Sequence, residues 1–172
     1  MVEEVRSPVA DIESAPQAVF HFSHTLARLV EPGHVLETGT GHGHVAVSIL
    51  HALALVGRGT LWTVERDYDI ADFANEHLLE RAMALPANTH YDPKLVIMES
   101  GDFEPPEEVV FDLCWFDTGH HEEEFDHFYP RMREGTICVF VSAEAGLAGH
   151  VGARGSVLDL PGPYGVMLVK TI

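Results

Sequence analysis

A glycine-rich loop follows the first strand-like run of the chain, at residues 35–47, VLETGTGHGHVAV. Its glycines occupy alternate positions, at Gly39, Gly41 and Gly43. Glycine at such positions lets the backbone turn tightly and brings its N–H groups, with the start of the following helix, against a ligand. The loop therefore predicts a site for a nucleotide-like cofactor.

The spacing of these glycines argues against a dinucleotide. The dinucleotide fingerprint is G-x-G-x-x-G, and Gly39 and Gly41 supply only its first two positions. His44 stands at the third position, and the remaining glycine comes one residue early, at Gly43. The pattern is instead an acidic residue, Glu37, followed by G-x-G-x-G. A cofactor other than NAD is expected, and a nicotinamide-dependent oxidoreductase with a shifted loop stays as an alternative.

Acidic residues also stand where three later strand-like runs end. Glu65 ends the second run, Asp102 follows the third and Asp117 ends the fourth. Ligands in open α/β sheets bind beyond the carboxyl ends of the strands, near the point where the strand order reverses. These three carboxylates and Glu37 are therefore expected at one edge of a sheet.

This ordered set of motifs resembles class I S-adenosylmethionine-dependent methyltransferases, in particular the small-molecule O-methyltransferase branch. The resemblance runs along almost the whole chain. Residues 112–120, DLCWFDTGH, are similar to the D-x-x-x-x-D-G-x-H run of that branch. They depart from it because the glycine comes one place late, at Gly119, and only Gly135 of a later glycine pair is present.

The resemblance implies roles for the loop and for the acidic residues. Glu65 would hold both ribose hydroxyls of S-adenosylmethionine, since a carboxylate can accept two vicinal hydrogen bonds. Asp102 would contact the adenine amino group, and Phe103 could cover the adenine face. The residues expected to bind this cofactor are Glu37, Gly39, Thr40, Gly41, Gly43, Glu65, Arg66, Asp102, Phe103 and Asp117.

The implied activity is enzymatic transfer of a methyl group to an oxygen, hydroxyl or carboxyl, of a small-molecule acceptor in a biosynthetic pathway. Such a transfer requires that the acceptor be aligned with the cofactor and that water be excluded, and a hydroxyl acceptor also needs a base. Histidine suits that task near neutral pH. His120 and His121 follow Asp117 at the mouth of the fourth strand, so these three residues form the candidate catalytic set.

Other histidines receive structural interpretations. His42 and His44 flank the last glycine of the loop, where we expect them to pack around the cofactor or to cap a helix. His21 and His24 lie three residues apart on the leading helix, which could fold over the pocket as a lid. For these two a surface role is favoured.

Some relatives hold a divalent metal with a carboxylate after the fourth strand and an Asp-Asn pair after the fifth. Asp117 matches the carboxylate, but the fifth run ends at 141–144, VSAE, without the pair. A metal-free mechanism with a histidine base is therefore favoured. A mixed oxygen and nitrogen site built from Asp117, either His120 or His121, and Glu144 is kept as the alternative.

These motifs need particular elements to position them. Short β-branched runs alternate with helical patterns, which indicates β/α units around a parallel sheet, and the last two runs indicate a hairpin. We predict helices at 16–30, 44–56, 69–84 and 121–132, and strands at 34–38, 60–65, 94–99, 111–117, 135–142, 156–160 and 165–172. The resemblance implies a Rossmann-like three-layer α/β sandwich. Its seven-stranded sheet would be mostly parallel, in the order 3-2-1-4-5-7-6, with an antiparallel last strand.

Length and charge limit the partners. The 172 residues fit one domain, expected at 16–172 after a flexible N-terminal arm at 1–15. The net charge of −17 repels phosphate backbones and anionic lipid, so neither nucleic acid nor a membrane is an expected partner. The first residues lack a basic region and an apolar core, which argues against a signal peptide and favours a cytoplasmic location.

Few residues are available to build an acceptor pocket, namely 1–30 and the loop at 145–155. The pocket is therefore expected to be open, to be completed by a second subunit in a homodimer, or to suit a large acceptor such as a peptide. A protein that binds the cofactor without transferring a methyl group is a further alternative.

Overall fold

The computed structural model describes residues 17–72, 74, 76, 92–144, 146–160 and 166–172. The expected arm at 1–15, the later part of the helix expected at 69–84 and the turn between the last two strands lie outside these residues. Helical structure is present at residues 68–72. Among the described helices, none is both long enough and apolar enough to cross a membrane.

The chain alternates strands and helices in the predicted way. The strands are β1 (His34–Thr38), β2 (Thr60–Glu65), β3 (Asp92–Ile97), β4 (Phe111–Phe116), β5 (Met132–Phe140), β6 (Gly155–Leu160) and β7 (Val166–Thr171). The helices outside the segment at 68–72 are α1 (Gln17–Val30), α2 (His44–Val56), α3 (His121–Phe128) and α4 (Leu147–Val151). Two short 3-10 helices occupy Ser100–Asp102 and Tyr129–Arg131.

All seven strands form one sheet in the order β3-β2-β1-β4-β5-β7-β6. The pairs β1–β2, β1–β4, β2–β3 and β4–β5 are parallel, while β7 runs antiparallel to β5 and to β6. The α/β fold and the strand order predicted above are confirmed. Because the order reverses between β1 and β4, a crevice opens beyond the carboxyl ends of these two strands.

The central strand β4 explains why the sheet has helices on both faces. All six of its residues are buried, as expected for a parallel strand that is covered on both sides. On one face Phe116 belongs to a core cluster with Phe125 of α3. On the other face Trp115 belongs to a second cluster with Ile49 of α2. The three layers thus follow from the apolar run FDLCWF.

Several element boundaries differ from the prediction. Helix α3 ends at Phe128 rather than at 132, because the chain passes through the 3-10 turn Tyr129–Arg131, in which Pro130 lacks an N–H group. Strand β5 begins at Met132, three residues before the predicted start, and strand β3 begins two residues early. The connection expected to be a loop contains the short helix α4.

Candidate functional site

The glycine loop joins the end of β1 to the start of α2. Gly39, Gly41 and Gly43 have φ angles of 77°, 53° and 78°, in the left-handed region that favours glycine. A Cβ atom at Gly39 would lie 2.2 Å from the backbone carbonyl oxygen of Asp117. The N–H group of Gly39 donates to the carbonyl oxygen of Val64 at 3.0 Å. The loop is therefore held closely between the ends of β2 and β4.

The second glycine faces open space. No atom outside its neighbours lies within 4 Å of a Cβ atom built at Gly41. Its N–H group donates to Oε2 of Glu65 at 2.9 Å. The third glycine, Gly43, is the N-cap residue of α2, and a Cβ atom there would lie 3.4 Å from the side chain of Ala74. Of the three positions, only Gly41 would thus direct a side chain into open space, where its absence leaves room for a ligand.

Two adjoining cavities border the loop. The β2-side cavity, of about 250 Å³, is bounded by residues 64–66 at the end of β2, by 98–100 after β3 and by 117–120 after β4. The α1-side cavity, of about 290 Å³, is bounded by α1, by the loop and by the end of β5. Gly39, Gly41 and Asp117 line both cavities, so the two meet at the loop and are together called the cleft.

Glu65 lies at the rim of the β2-side cavity and is only 8% exposed. Besides the N–H group of Gly41, its carboxylate accepts the N–H group of Asp67 at 3.1 Å. The neighbouring Arg66 also lines this cavity, and its guanidinium lies 3.9 Å from the carboxylate of Glu99. The end of β2 therefore presents a fixed carboxylate and a basic side chain to one cavity.

Glu37 lies beneath the loop, at the floor of the α1-side cavity, and is 1% exposed. The hydroxyl of Thr63 donates to its carboxyl group, and Oγ1 of Thr40 lies 2.5 Å from that hydroxyl. Burial raises the pKa of the Glu37 carboxyl to about 8, although the hydrogen bond from Thr63 acts to lower it. The negative charges of Asp117 and Glu65 raise the pKa further. Glu37 therefore keeps its proton at neutral pH.

Asp117 is the acidic residue common to both cavities. Its N–H group donates to the carbonyl oxygen of Thr38 at 3.0 Å, which fixes the backbone at the mouth of β4. The side chain is open to the cleft, yet desolvation by the surrounding protein raises the pKa of its carboxyl group. His121 acts in the opposite direction and lowers that pKa. A cation in the cleft would favour the ionised form of Asp117.

The structure separates the two histidines that were predicted to act together. His120 is exposed and lines the β2-side cavity. His121 is 1% exposed, and its Nδ1 atom lies 2.9 Å from Oε2 of Glu144. Within the described residues, the Nε2 atom of His121 has no hydrogen-bond partner. Desolvation acts to raise the pKa of the Glu144 carboxyl, but the hydrogen bond and charge of His121 lower it overall.

The residues considered for a metal do not form a metal centre. In the part of the chain that the structure describes, no group of three His, Cys, Asp or Glu side chains could hold a metal ion. Glu144 instead pairs with His121, and Asp117 faces the cleft. The structure therefore gives no support to the mixed-ligand alternative.

Asp102 and Phe103 lie farther from the cleft than the other expected cofactor residues. Asp102 is exposed at the end of the 3-10 helix after β3, and it lines neither of the two cavities. Phe103 is 5% exposed and belongs to the core, where its ring centroid lies 5.9 Å from that of Trp62. Met98 and Ser100, which precede them, line the β2-side cavity instead.

The four other histidines considered in the sequence analysis divide between the cleft and helix α1. His42 and His44 line the α1-side cavity, and Gly43 rather than a histidine caps α2. His21 is exposed. His24 lies beside His51, with ring centroids 6.2 Å apart, and neither His21 nor His24 lines the two cavities.

Some residues of the cleft were missed by reasoning from the sequence. Val19 and Phe20 of α1 line the α1-side cavity, and the ring centroid of Phe20 lies 5.3 Å from that of His44. Val141 and Ser142, directly after β5, line the same cavity. Val141 and Ser142 could have been predicted, because they stand at the end of a parallel strand. No local sequence pattern indicated that Val19 and Phe20 would line the cavity.

Comparison with solved structures finds methyltransferases of the same fold. The O-methyltransferase TomG from Streptomyces achromogenes, involved in tomaymycin synthesis and solved in complex with SAM, is 19% identical with a TM-score of 0.71. That match covers 92% of this chain and 81% of TomG. SAH-bound PaMTH1, a methyltransferase from Podospora anserina, is 16% identical with a TM-score of 0.74, covering 97% of this chain and 83% of that one.

A third similar structure acts on RNA. It is the tRNA (m1A58) methyltransferase TrmI from Aquifex aeolicus, which is 17% identical with a TM-score of 0.69, covering 91% of this chain and 69% of that one. No protein-family model and no curated protein sequence matches the chain. At these identities the similarity establishes the fold, and the fold is the one implied by the motifs of the sequence.

Proposed function

We propose that this chain is an S-adenosylmethionine-dependent methyltransferase that acts on an oxygen of a small-molecule acceptor, in a biosynthetic pathway. One observation carries the proposal, the convergence of Glu37, Glu65 and Asp117 around a single glycine loop at the topological switch point. The solved complexes of TomG with SAM and of PaMTH1 with SAH, which share the fold, support it.

The β2-side cavity suits the nucleoside part of the cofactor. Glu65 lies at its rim with a carboxylate that can accept hydrogen bonds from two vicinal hydroxyls. Gly41 lacks the side chain that would obstruct a ligand there, since a Cβ atom would enter open space. Arg66 and Met98 provide side-chain surface against which a planar base can lie.

The junction of the two cavities suits the reacting group. S-adenosylmethionine supplies a methyl group that is activated by a positively charged sulfur. Asp117, which lines both cavities, would stabilise that positive charge, and Thr40 and Glu37 would border the amino acid part of the cofactor. Because methyl transfer neutralises that charge, Asp117 would contribute to cofactor binding, and alignment of the acceptor with exclusion of water would supply the rate enhancement.

The α1-side cavity suits a neutral or cationic acceptor. Its described lining combines apolar side chains, such as Phe20 and Val141, with the carboxyl groups of Glu37 and Asp117, and includes neither lysine nor arginine. An anionic acceptor would meet the unfavourable charge of Asp117 there, whereas the protonated Glu37 carboxyl can form hydrogen bonds without repelling it. The net charge of −17 likewise supports a small molecule over the RNA that TrmI modifies.

His121 is the better supported base for a hydroxyl acceptor. Its Nδ1 atom is bonded to Glu144, which would leave Nε2 as the atom that accepts a proton. His121 lines neither cavity, so the proposal requires a rearrangement that brings its Nε2 atom to the acceptor. His120 lies at the β2-side cavity and would contact the cofactor rather than the acceptor.

Isothermal titration calorimetry with S-adenosylmethionine, its demethylated product S-adenosylhomocysteine and NAD tests this proposal. Binding of the first two without NAD is expected, and NAD binding alone would favour an oxidoreductase and overturn the proposal. Methyl transfer from labelled S-adenosylmethionine to a panel of phenols, carboxylic acids and amines then identifies the acceptor atom. Cofactor binding with no transfer to any acceptor would favour a binding protein.

Two further expectations stay predictions. Light scattering coupled to size-exclusion chromatography tests whether the chain forms a homodimer. Imaging of a tagged chain in its host cell tests the cytoplasmic location.

A further inference from the structure

We infer that Glu124 is a positioning residue that holds together three segments at the β2-side cavity, those at the ends of β1, β3 and β4, an inference that rests on the proposed function. Glu124 lies in the first turn of α3 and is 2% exposed. A buried carboxylate is costly unless hydrogen bonds compensate for the loss of water. Its partners therefore indicate what the carboxylate does.

Three hydroxyl groups donate to this one carboxylate. Thr38 Oγ1 lies 3.0 Å and Thr118 Oγ1 lies 2.8 Å from Oε2 of Glu124. Ser100 Oγ lies 2.5 Å from Oε1. Thr38 ends β1, Ser100 follows β3 and Thr118 follows β4, so Glu124 joins three strand ends that are distant in the sequence.

The three donors bear directly on the cleft. Ser100 and Thr118 line the β2-side cavity, and Thr38 immediately precedes Gly39 of the glycine loop. The hydroxyl oxygen of Thr118 also accepts the N–H group of His120 at 3.2 Å. The N–H group of Glu124 donates to the carbonyl oxygen of His120 at 3.0 Å. Glu124 therefore shapes the turn at 118–120 through both its side chain and its backbone.

All three hydroxyl groups donate to Glu124, so its carboxyl oxygens act here as acceptors. An ionised carboxylate can only accept, so all three hydroxyl groups must point their protons toward it. Hydrogen bonds to a charged acceptor are also stronger than neutral ones. Glutamine has the same shape but would present N–H donors to at least one hydroxyl. The Glu124→Gln variant should therefore loosen the cavity lining while keeping the packing of α3.

Asp112 offers a matched control at the opposite end of the sheet. It is 8% exposed and accepts the N–H groups of Gly33 at 2.6 Å and His34 at 3.2 Å. Its carboxylate also pairs with Arg133. Asp112 thus joins several segments as Glu124 does, but at the amino ends of β1 and β4, away from the cleft. The Asp112→Asn variant should lower stability without changing ligand affinity.

Calorimetric titration with S-adenosylhomocysteine tests the inference on the full chain, with thermal unfolding measured in parallel. Glu124→Gln should raise the Kd about tenfold, the loss expected for a hydrogen bond to a charged group. Thr38→Val should raise it about threefold, although Thr38 lines neither cavity. The double variant should bind no more weakly than Glu124→Gln alone, because the Thr38 hydroxyl acts through Glu124.

A kinetic readout separates positioning from general destabilisation. In Glu124→Gln the KM for S-adenosylmethionine should rise, while kcat should stay within about threefold of the original value. Failure of the unsubstituted chain to bind S-adenosylhomocysteine would overturn the proposed function and this inference with it. If that chain binds, two results would overturn the positioning role alone. One is a Kd in Glu124→Gln equal to that of the unsubstituted chain, and the other is a loss of affinity in Asp112→Asn as large as that in Glu124→Gln. Should Glu124→Gln not fold, an unchanged Kd in Thr38→Val would overturn it.

Discussion

Gly39 lies so close to Asp117 that a Cβ atom at Gly39 would come within 2.2 Å of the backbone carbonyl oxygen of Asp117. The contact joins the glycine loop after β1 to the end of β4, the two strands between which the sheet order reverses. The same pair lines both cavities of the cleft. The absence of a side chain at Gly39 is thus a condition for the shape of the site.

Substitution of Gly39 by alanine should destabilise the protein by about 2–4 kcal/mol, because left-handed backbone strain and overpacking against Asp117 add. Gly41→Ala is the matched comparison, since its φ angle is also positive but nothing surrounds its Cβ position. Gly41→Ala should cost only about 1 kcal/mol of stability yet weaken binding of S-adenosylhomocysteine. Urea unfolding and calorimetry measure the two effects. Equal stability losses in both variants would contradict the packing argument.

Substitution of Glu65 by glutamine should weaken S-adenosylmethionine and S-adenosylhomocysteine equally, by about tenfold to a hundredfold. The reason is that both ligands carry the same ribose, and a lost hydrogen bond to a charged acceptor costs about 1.5–3 kcal/mol. Glu108→Gln removes the same charge at an exposed position outside both cavities and serves as the control. An affinity loss shared by Glu108→Gln would point to net charge rather than to the ribose contact.

The buried carboxyl of Glu37 predicts a specific pH dependence of stability. Its pKa is about 8 in the folded protein, against an ordinary value of 4.5. Between these values the folded state keeps a proton that the unfolded chain has released, so the free energy of unfolding falls as pH rises through this window. Below about pH 4.5 the carboxyl is protonated in both states, so it no longer lowers the free energy of unfolding.

Glu37→Gln should remove that slope, since glutamine does not titrate. As pH rises from 5 to 8, the free energy of unfolding of the variant should increase relative to that of the unsubstituted chain by on the order of 3 kcal/mol. Denaturant titrations at several pH values measure the difference. The prediction fails if the two proteins lose stability in parallel over this range.

Asp117→Asn should discriminate between the cofactor and its product. S-adenosylmethionine carries a positive sulfur that S-adenosylhomocysteine lacks, and Asp117 lies where the two cavities meet. The variant should therefore lose about tenfold more affinity for S-adenosylmethionine than for S-adenosylhomocysteine. Paired calorimetric titrations measure the ratio, and equal losses for both ligands would show that Asp117 does not sense the charge on sulfur.

His121→Asn should reduce methyl transfer to a hydroxyl acceptor by about a hundredfold or more, the usual contribution of a general base. The Kd for S-adenosylhomocysteine should stay unchanged, because His121 lines neither cavity. His120→Asn, at the neighbouring exposed position, should leave the rate nearly intact and alter cofactor affinity instead. Initial rates with labelled S-adenosylmethionine distinguish the two histidines. A larger loss of rate in His120→Asn than in His121→Asn would identify His120 as the base.

Much of the fold was predictable because it depends on local patterns. The alternating runs, the glycine loop and the terminal hairpin signal strands, helices and turns within short windows. Boundaries were less accurate where a single residue decided them, as at Pro130 after α3. The acids Glu37, Glu65 and Asp117 could be placed at one edge because parallel strands bring their carboxyl ends together.

The sequence by itself determined that a glycine loop follows the first strand and that acidic residues stand where the strands end. Both follow from local periodicity and the geometry of parallel sheets. Only the tertiary structure decided which side chains reach the cleft. It directs Phe103 into the core, separates His120 from His121 by burial, and brings Phe20 of α1 to the cavity. It also brings three distant hydroxyls to Glu124. These outcomes depend on side-chain direction and long-range packing, which no short window of sequence contains.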